Sequence, residues 1–150
     1  MHSLREVKPK LLDLLNQVGK GIGENQLTII DRGRPHLLSF NEKKLYVYTF
    51  NYNNVYLKIG KAGNKSKARV IGHHYNPASS QSNLAKSILS DESMKIYNLN
   101  ENSVGNWIKN NVDRVDIELN AEVGVFVMNF IEAALHCMYL PKYEGFETQR

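Results

Sequence analysis

Hydrophobic and polar positions recur along the chain with different periods, and the changes of period mark its elements. In residues 3–18, Leu4, Val7, Leu11, Leu14, Leu15 and Val18 repeat at helical spacing. Ser3 and Glu6 have the spacing of a capping box, and Gly19 supplies a stop. Pro9 falls inside the pattern, which requires either a kink or a later start. Residues 19–26 are glycine-rich and read as a loop. Two short strand candidates, 27–30 and 37–40, flank a basic turn, Asp31-Arg32-Gly33-Arg34-Pro35. Residues 1–43 read as an N-terminal extension of one helix and short strands, available for DNA contact or dimer formation.

From residue 45 the period becomes two. Leu45 and Val47 take one face of a strand, and Tyr46, Tyr48 and Phe50 take the other. Val55, Leu57 and Ile59 form an aliphatic face, with Tyr56 and Lys58 opposite. The polar stretch Asn51-Tyr52-Asn53-Asn54 joins the two runs into an antiparallel hairpin. Residues 65–75 read as a helix and 76–82 as a polar loop. Short helices are expected over 83–89 and 103–110. Residues 113–119 alternate (Val115, Ile117, Leu119) as a third strand, and the longest helix runs over 121–140 to Pro141. These elements predict an α+β fold: a small three-stranded antiparallel sheet flanked by helices, with an N-terminal helical and β extension.

Composition narrows the class without naming a function. The chain has 150 residues, 42% hydrophobic and 23% charged, as expected of one folded domain and not of a disordered or collagen-like chain. The longest apolar run, 123–128, is interrupted by glycine and too short to cross a bilayer, so no membrane association is expected. The first residues lack a basic stretch leading into an apolar core, so no secretory signal is expected. A single cysteine, Cys137, excludes an intrachain disulfide and a cysteine-based zinc site, and suits a reducing cytoplasm. A net charge of +4 permits a polyanionic partner without requiring one.

Three clusters carry candidate chemistry. On the last helix, apolar residues cover most of the circumference and leave a polar wedge of Asn129, Glu132 and His136. Glu132 is either a solvated glutamate or a carboxylate aimed at a cleft, where it could hold a hard divalent cation. On the helix at 65–75, Lys65, Arg69 and His73 follow at i, i+4 and i+8 on one face. That face is either solvated or a phosphate-binding edge with an imidazole beside it. His74 points elsewhere on the same helix and is a candidate nucleic-acid contact. In the hairpin, Tyr48 and Lys58 share a face by parity. They are either part of an amphipathic sheet surface or a phenol beside a cation, able to act as a base.

The order and spacing of these residues resemble the GIY-YIG nuclease superfamily. Its first motif, glycine-isoleucine-tyrosine, appears as Tyr46-Val47-Tyr48, and its second, tyrosine-isoleucine-glycine, as Lys58-Ile59-Gly60. Arg69 lies nine residues after Gly60, where the family has a helical arginine, and His73 takes the place of a family histidine four residues later. Glu132 stands nine before Pro141, as the helical glutamate of the closing motif, and Glu144 occupies the position often held by asparagine. The resemblance covers roughly residues 44–146. The lysine at 58 is similar to a type II restriction-endonuclease branch, as are the extension and the polar insertion after residue 75.

The resemblance implies a nuclease domain over 44–150 that hydrolyses phosphodiester bonds of double-stranded DNA, leaving 5′-phosphate and 3′-hydroxyl ends. It implies one Mg²⁺ (or Mn²⁺) per site, held by Glu132. Tyr48 is then the general base, Lys58 and His73 favour its phenolate or accept its proton, and Arg69 binds the scissile phosphate. For DNA contact the side chains nominated are Arg32, Arg34, Lys61, Lys65, Lys67, His74, Asn76 and Gln81, suited to base edges or phosphates. One site per chain and two strands to cut predict a homodimer on DNA. The competing functions are another nuclease of the superfamily (mobile-element, repair or toxin type) and a non-catalytic DNA-binding module that kept the fold. A third is a small α+β interaction protein with a chance match.

Overall fold

The computed structural model describes residues 4–80 and 83–144. A 3₁₀ turn at Leu4–Glu6 leads into α1 (Val7–Gln17). Pro9 is tolerated because it lies in the first helical turn, where backbone N–H groups have no intrahelical acceptor. Of the two readings of Pro9, the later start is the one observed. The helix stops at Gly19, whose φ of +73° lets the Lys20 N–H reach back to the Leu15 carbonyl (2.8 Å). Ser3, the expected cap, lies outside the described residues.

The sheet has four antiparallel strands, not three, in the order β1 (Leu27–Asp31), β4 (Asp113–Asn120), β2 (Lys44–Tyr52), β3 (Val55–Ala62). The fourth strand comes from within residues 1–43: β1 pairs with β4, Leu27 opposite Leu119 and Ile29 opposite Ile117. The other strand candidate, 37–40, is not a strand. Leu38 and Phe40 instead pack onto the sheet, the Phe40 ring stacking on Tyr46 at 5.7 Å. The hairpin closes through Asn53 and Asn54, both with positive φ (49° and 63°), as a two-residue turn between twisted strands requires.

Between the strands lie α2 (Lys67–Ile71), α3 (Leu84–Ser90) and α4 (Val104–Asn111), and after β4 comes α5 (Val125–Tyr139). Asn83 caps α3, its side-chain oxygen accepting from the Lys86 N–H (2.8 Å). The helix expected over 65–75 is only α2, broken at Gly72 and continued as a 3₁₀ turn at His73–Tyr75.

Both faces of the sheet are covered. Leu45, Val47, Ile59, Ile117 and Leu119 pack against Leu11 and Leu15 of α1 and Ile131 and Leu135 of α5. Tyr46, Tyr48 and Phe50 pack against Val70 of α2, Leu84 and Ile88 of α3, and Val104 and Ile108 of α4. A register shift beside Phe50 and Asn51 leaves Leu57 without a cross-strand partner. The expected aliphatic face of Val55, Leu57 and Ile59 is therefore split: Leu57 packs with the tyrosine face and Ile59 with the aliphatic one. Beyond the bulge Lys58 faces Phe50 and Gly60 faces Tyr48, so Lys58 and Tyr48 do share a face. No helix among the described residues is long and apolar enough to cross a membrane.

Candidate active site

The site forms where the two helical layers meet around the outer strand, β3. The free edge of β3 is closed by the segment after Pro141. The Lys142 N–H donates to the Tyr56 carbonyl (2.8 Å) and the Tyr143 N–H to the Leu57 carbonyl (2.9 Å). Next along that edge, the Ile59 N–H donates to Glu144 Oε1 (3.2 Å), and His136 Nε2 of α5 donates to the Ile59 carbonyl (2.9 Å). Pairing this edge protects the strand. It also draws α5 and Glu144 toward the tyrosine-bearing face. A cleft of about 230 Å³ results, lined by Tyr48, Lys58, Gly60, Lys61, Arg69, His73, His74, Glu132 and Glu144, with the Ile59 backbone between them.

Tyr48 is buried, with its ring laid across Gly60. A Cβ at residue 60 would stand 2.6 Å from the Tyr48 hydroxyl and 2.7 Å from two ring carbons, so only glycine fits beneath this ring. His74 Nε2 lies 2.7 Å from the Tyr48 hydroxyl, and His74 Nδ1 accepts the Leu84 N–H at 3.2 Å. Because Nδ1 accepts, the neutral ring carries its proton on Nε2 and donates it to the phenol oxygen. Burial, with the nearby cations of Lys58 and Arg114 adding to it, pushes His74 down to about 2, so it stays neutral. The Tyr48 proton is left free to point into the cleft. Burial raises the Tyr48 pKa above its ordinary value; Arg69 and Arg114 pull against that, and Glu132 and Glu144 add to it.

Lys58 is buried on the same face, its Nζ 3.5 Å from Glu144 Oε1. Arg69 is exposed at the cleft mouth, and His73 is half-buried. Burial first, then the Arg69 and Lys58 charges, lower the His73 pKa. Glu132 projects from α5 with its side chain 17% exposed, and Lys61 Nζ lies 2.7 Å from its Oε2. Glu132 therefore meets the cleft and is not a solvated helix-face glutamate.

Comparison with family models, curated proteins and solved structures returns no match.

All five residues expected at the centre, Tyr48, Lys58, Arg69, His73 and Glu132, line this one cleft. The residues nominated for DNA contact divide. Arg34, Lys65, Lys67 and Asn76 are exposed, although Arg34 is already held by Asp113 (2.6 Å). Lys61 lies in the cleft. Gln81 lies outside the described residues. Two nominations are corrected. Arg32 is buried, its Nε 2.9 Å from Asp116 Oδ2 and its Nη1 2.9 Å from Ser39 Oγ, so it cannot reach a duplex. His74 is buried beneath the cleft as the hydrogen-bond donor to Tyr48, because the helix break at Gly72 turns it inward. That role and the Glu144 contacts escape sequence reasoning. The glycine just before the histidine pair is the one signal that the helical phase ends there.

The residues also bear on which cation could be held. Among the described residues no three His, Cys, Asp or Glu side chains gather into a metal cage. A magnesium-like ion does not need one: it takes one or two carboxylates and fills its other positions with water and phosphate oxygens. Glu132 offers a carboxylate oxygen to a small open cleft and already faces a cation there, the Lys61 ammonium. The donor set fits a singly anchored hard ion and does not fit a zinc site.

Proposed function

We propose that the protein is a metal-dependent DNA endonuclease of the GIY-YIG kind, acting on double-stranded DNA in the manner of a type II restriction enzyme. One observation carries this: Tyr48, Lys58, Arg69, His73 and Glu132, distant in sequence and drawn from different elements, line the same cleft in which the motif glycine, Gly60, seats the tyrosine.

Hydrolysis of a phosphodiester needs an activated water, positive charge around the phosphoryl oxygens and help for the leaving oxygen. Arg69, exposed at the cleft mouth, engages the scissile phosphate with a planar fork of donors. Tyr48 takes the proton of the attacking water after giving up its own. His74 cannot receive that proton, since its Nε2 already donates to the phenol and burial keeps the ring neutral. His73 is also uncharged near neutral pH, and it is the acceptor that lines the cleft. The Arg69 and Arg114 charges pull against the burial that disfavours the phenolate without outweighing it, and the bond that His74 donates to the phenol oxygen also favours the phenolate. A Mg²⁺ or Mn²⁺ ion held by Glu132 would supply charge neutralisation at the phosphate oxygens and leaving group. The products are a 5′-phosphate and a 3′-hydroxyl, and two copies of the chain engage one duplex.

Incubation of the purified protein with plasmid DNA and magnesium, followed by sequencing of the ends, tests the function. Double-strand breaks at one recurring sequence, lost on chelation, are expected. Binding with no cleavage at any divalent-ion concentration would leave a DNA-binding module in place of an enzyme.

A further inference from the structure

The cleft contains two lysine–glutamate pairs of different character. Lys58 is enclosed: its side chain is 9% exposed, its ammonium is 3.5 Å from Glu144 Oε1, and it lies on the tyrosine face opposite Phe50. Lys61 is three residues further along β3, opposite Val47, at the margin of the aliphatic face. Its side chain is 37% exposed, and its ammonium lies 2.7 Å from Glu132 Oε2. Glu132 is the more enclosed partner of that pair, at 17%. The more exposed member is thus the lysine, on a flexible four-carbon stem, and the more enclosed member is the carboxylate.

A magnesium-like ion binds a carboxylate oxygen at about 2.1 Å. With an ammonium already 2.7 Å from that oxygen, the two cations would lie no more than about 5 Å apart. At that range, in a partly buried cleft, a doubly charged ion and an ammonium repel strongly. Resting on the assignment of Glu132 as the metal-holding carboxylate, we infer that Lys61 is its built-in counter-ion, occupying the cation position until a divalent ion displaces it. Lys61 then turns toward the cleft mouth, where Arg69 stands and a DNA phosphate offers it a new anion. DNA that engages Lys61 frees Glu132, so metal and DNA load the site cooperatively, and the DNA-free protein holds its metal weakly.

The test is Mn²⁺ affinity of the full chain without DNA, read by electron paramagnetic resonance of free and bound ion. Wild type, Lys61→Met, Lys61→Arg and Glu132→Gln are compared, with circular dichroism confirming that each is folded. Lys61→Met removes the competing charge and keeps the stem, and should tighten Mn²⁺ binding roughly two- to fivefold, the range expected for losing one partly exposed ion pair. Lys61→Arg should stay near wild type and Glu132→Gln should lose the site. If Lys61→Met binds no tighter than wild type while Glu132→Gln still abolishes binding, the counter-ion role is overturned and the metal assignment stands. If Glu132→Gln binds as wild type does, the metal assignment fails and the counter-ion role fails with it.

Discussion

The two faces of the sheet are buried to a similar degree but against different chemistry. On one, Leu45, Val47, Ile59, Ile117 and Leu119 meet the leucines and isoleucine of α1 and α5. On the other, the same three strands present Tyr46, Tyr48, Phe50, Lys58, Arg114 and Asp116. Arg114 and Asp116 are completely buried and bonded side by side on β4 (2.9 and 3.2 Å), with Arg32 completing the cluster from beyond β1. Arg114 also donates to the Tyr75 hydroxyl (2.8 Å) and lies 5.5 Å from the centre of the Tyr48 ring. Burial opposes its charge, but Asp116 and Tyr75 outweigh that and raise its pKa. A buried ionic cluster is often no more stabilising than apolar packing of the same volume. The difference between the faces indicates a division of labour: one supplies cohesion, and the other sets the electrostatics around a phenol.

That division can be broken from either side. The largest effect is expected from Tyr48→Phe, which removes the oxygen proposed to take the proton of the attacking water. It should slow single-turnover cleavage by roughly 10²–10⁴-fold, the range for loss of a general base. It should also cost about 1–3 kcal/mol of stability, because the buried His74 N–H loses its acceptor. On the aliphatic face, Ile117→Ala should cost about 2–5 kcal/mol in a denaturant titration. It should leave the cleavage rate per folded molecule close to wild type. A large rate loss in the folded Ile117 variant would dissolve the distinction between the faces.

The smallest effect sharpens the comparison through pH. His74 ionises near its ordinary 6.5 in the unfolded chain and only at about 2 when folded. Below about pH 6.5 the unfolded state gains a proton that the folded state refuses. Its stabilising contribution is therefore complete above that pH and is lost as the pH falls, at up to about 1.4 kcal/mol per pH unit. His74→Gln, a non-titrating donor, should flatten the stability–pH profile between pH 6.5 and 4.5 by up to one proton. Some slope should remain, because burial lowers the His36 pKa as well. An unchanged profile would place His74 in contact with solvent.

Much of this architecture is written in local pattern. The alternation over 45–50 and the asparagine-rich turn announce the hairpin, and the apolar circumference of 121–140 announces α5. Long-range pairing is not written there. Nothing in residues 27–31 states that their partner is β4, more than eighty residues away, which is why the strand candidate at 27–30 is left in the extension and out of the sheet. Parity correctly places Lys58 with Tyr48, but an alternating pattern cannot register the unpaired Leu57, which moves that residue to the opposite face from Ile59. At the site, residue type and order suffice to nominate the five central side chains. Helical phase fails at the histidine pair, because Gly72 ends α2 and exchanges which imidazole meets the phenol. For Glu132, a polar wedge on a helix looks alike whether it faces water or a cleft. Its ion pair with Lys61 and its place in the cleft decide the matter.

The central proposal is that the cleft around β3, with its phenol from the polar face and its carboxylate from α5, is a phosphodiesterase site centred on Glu132. Glu132→Gln, assayed for magnesium-dependent DNA cleavage and for DNA affinity in parallel, tests it most directly. The account predicts that cleavage is abolished while DNA binding stays within a few-fold of wild type. Wild-type cleavage by the glutamine variant would contradict it.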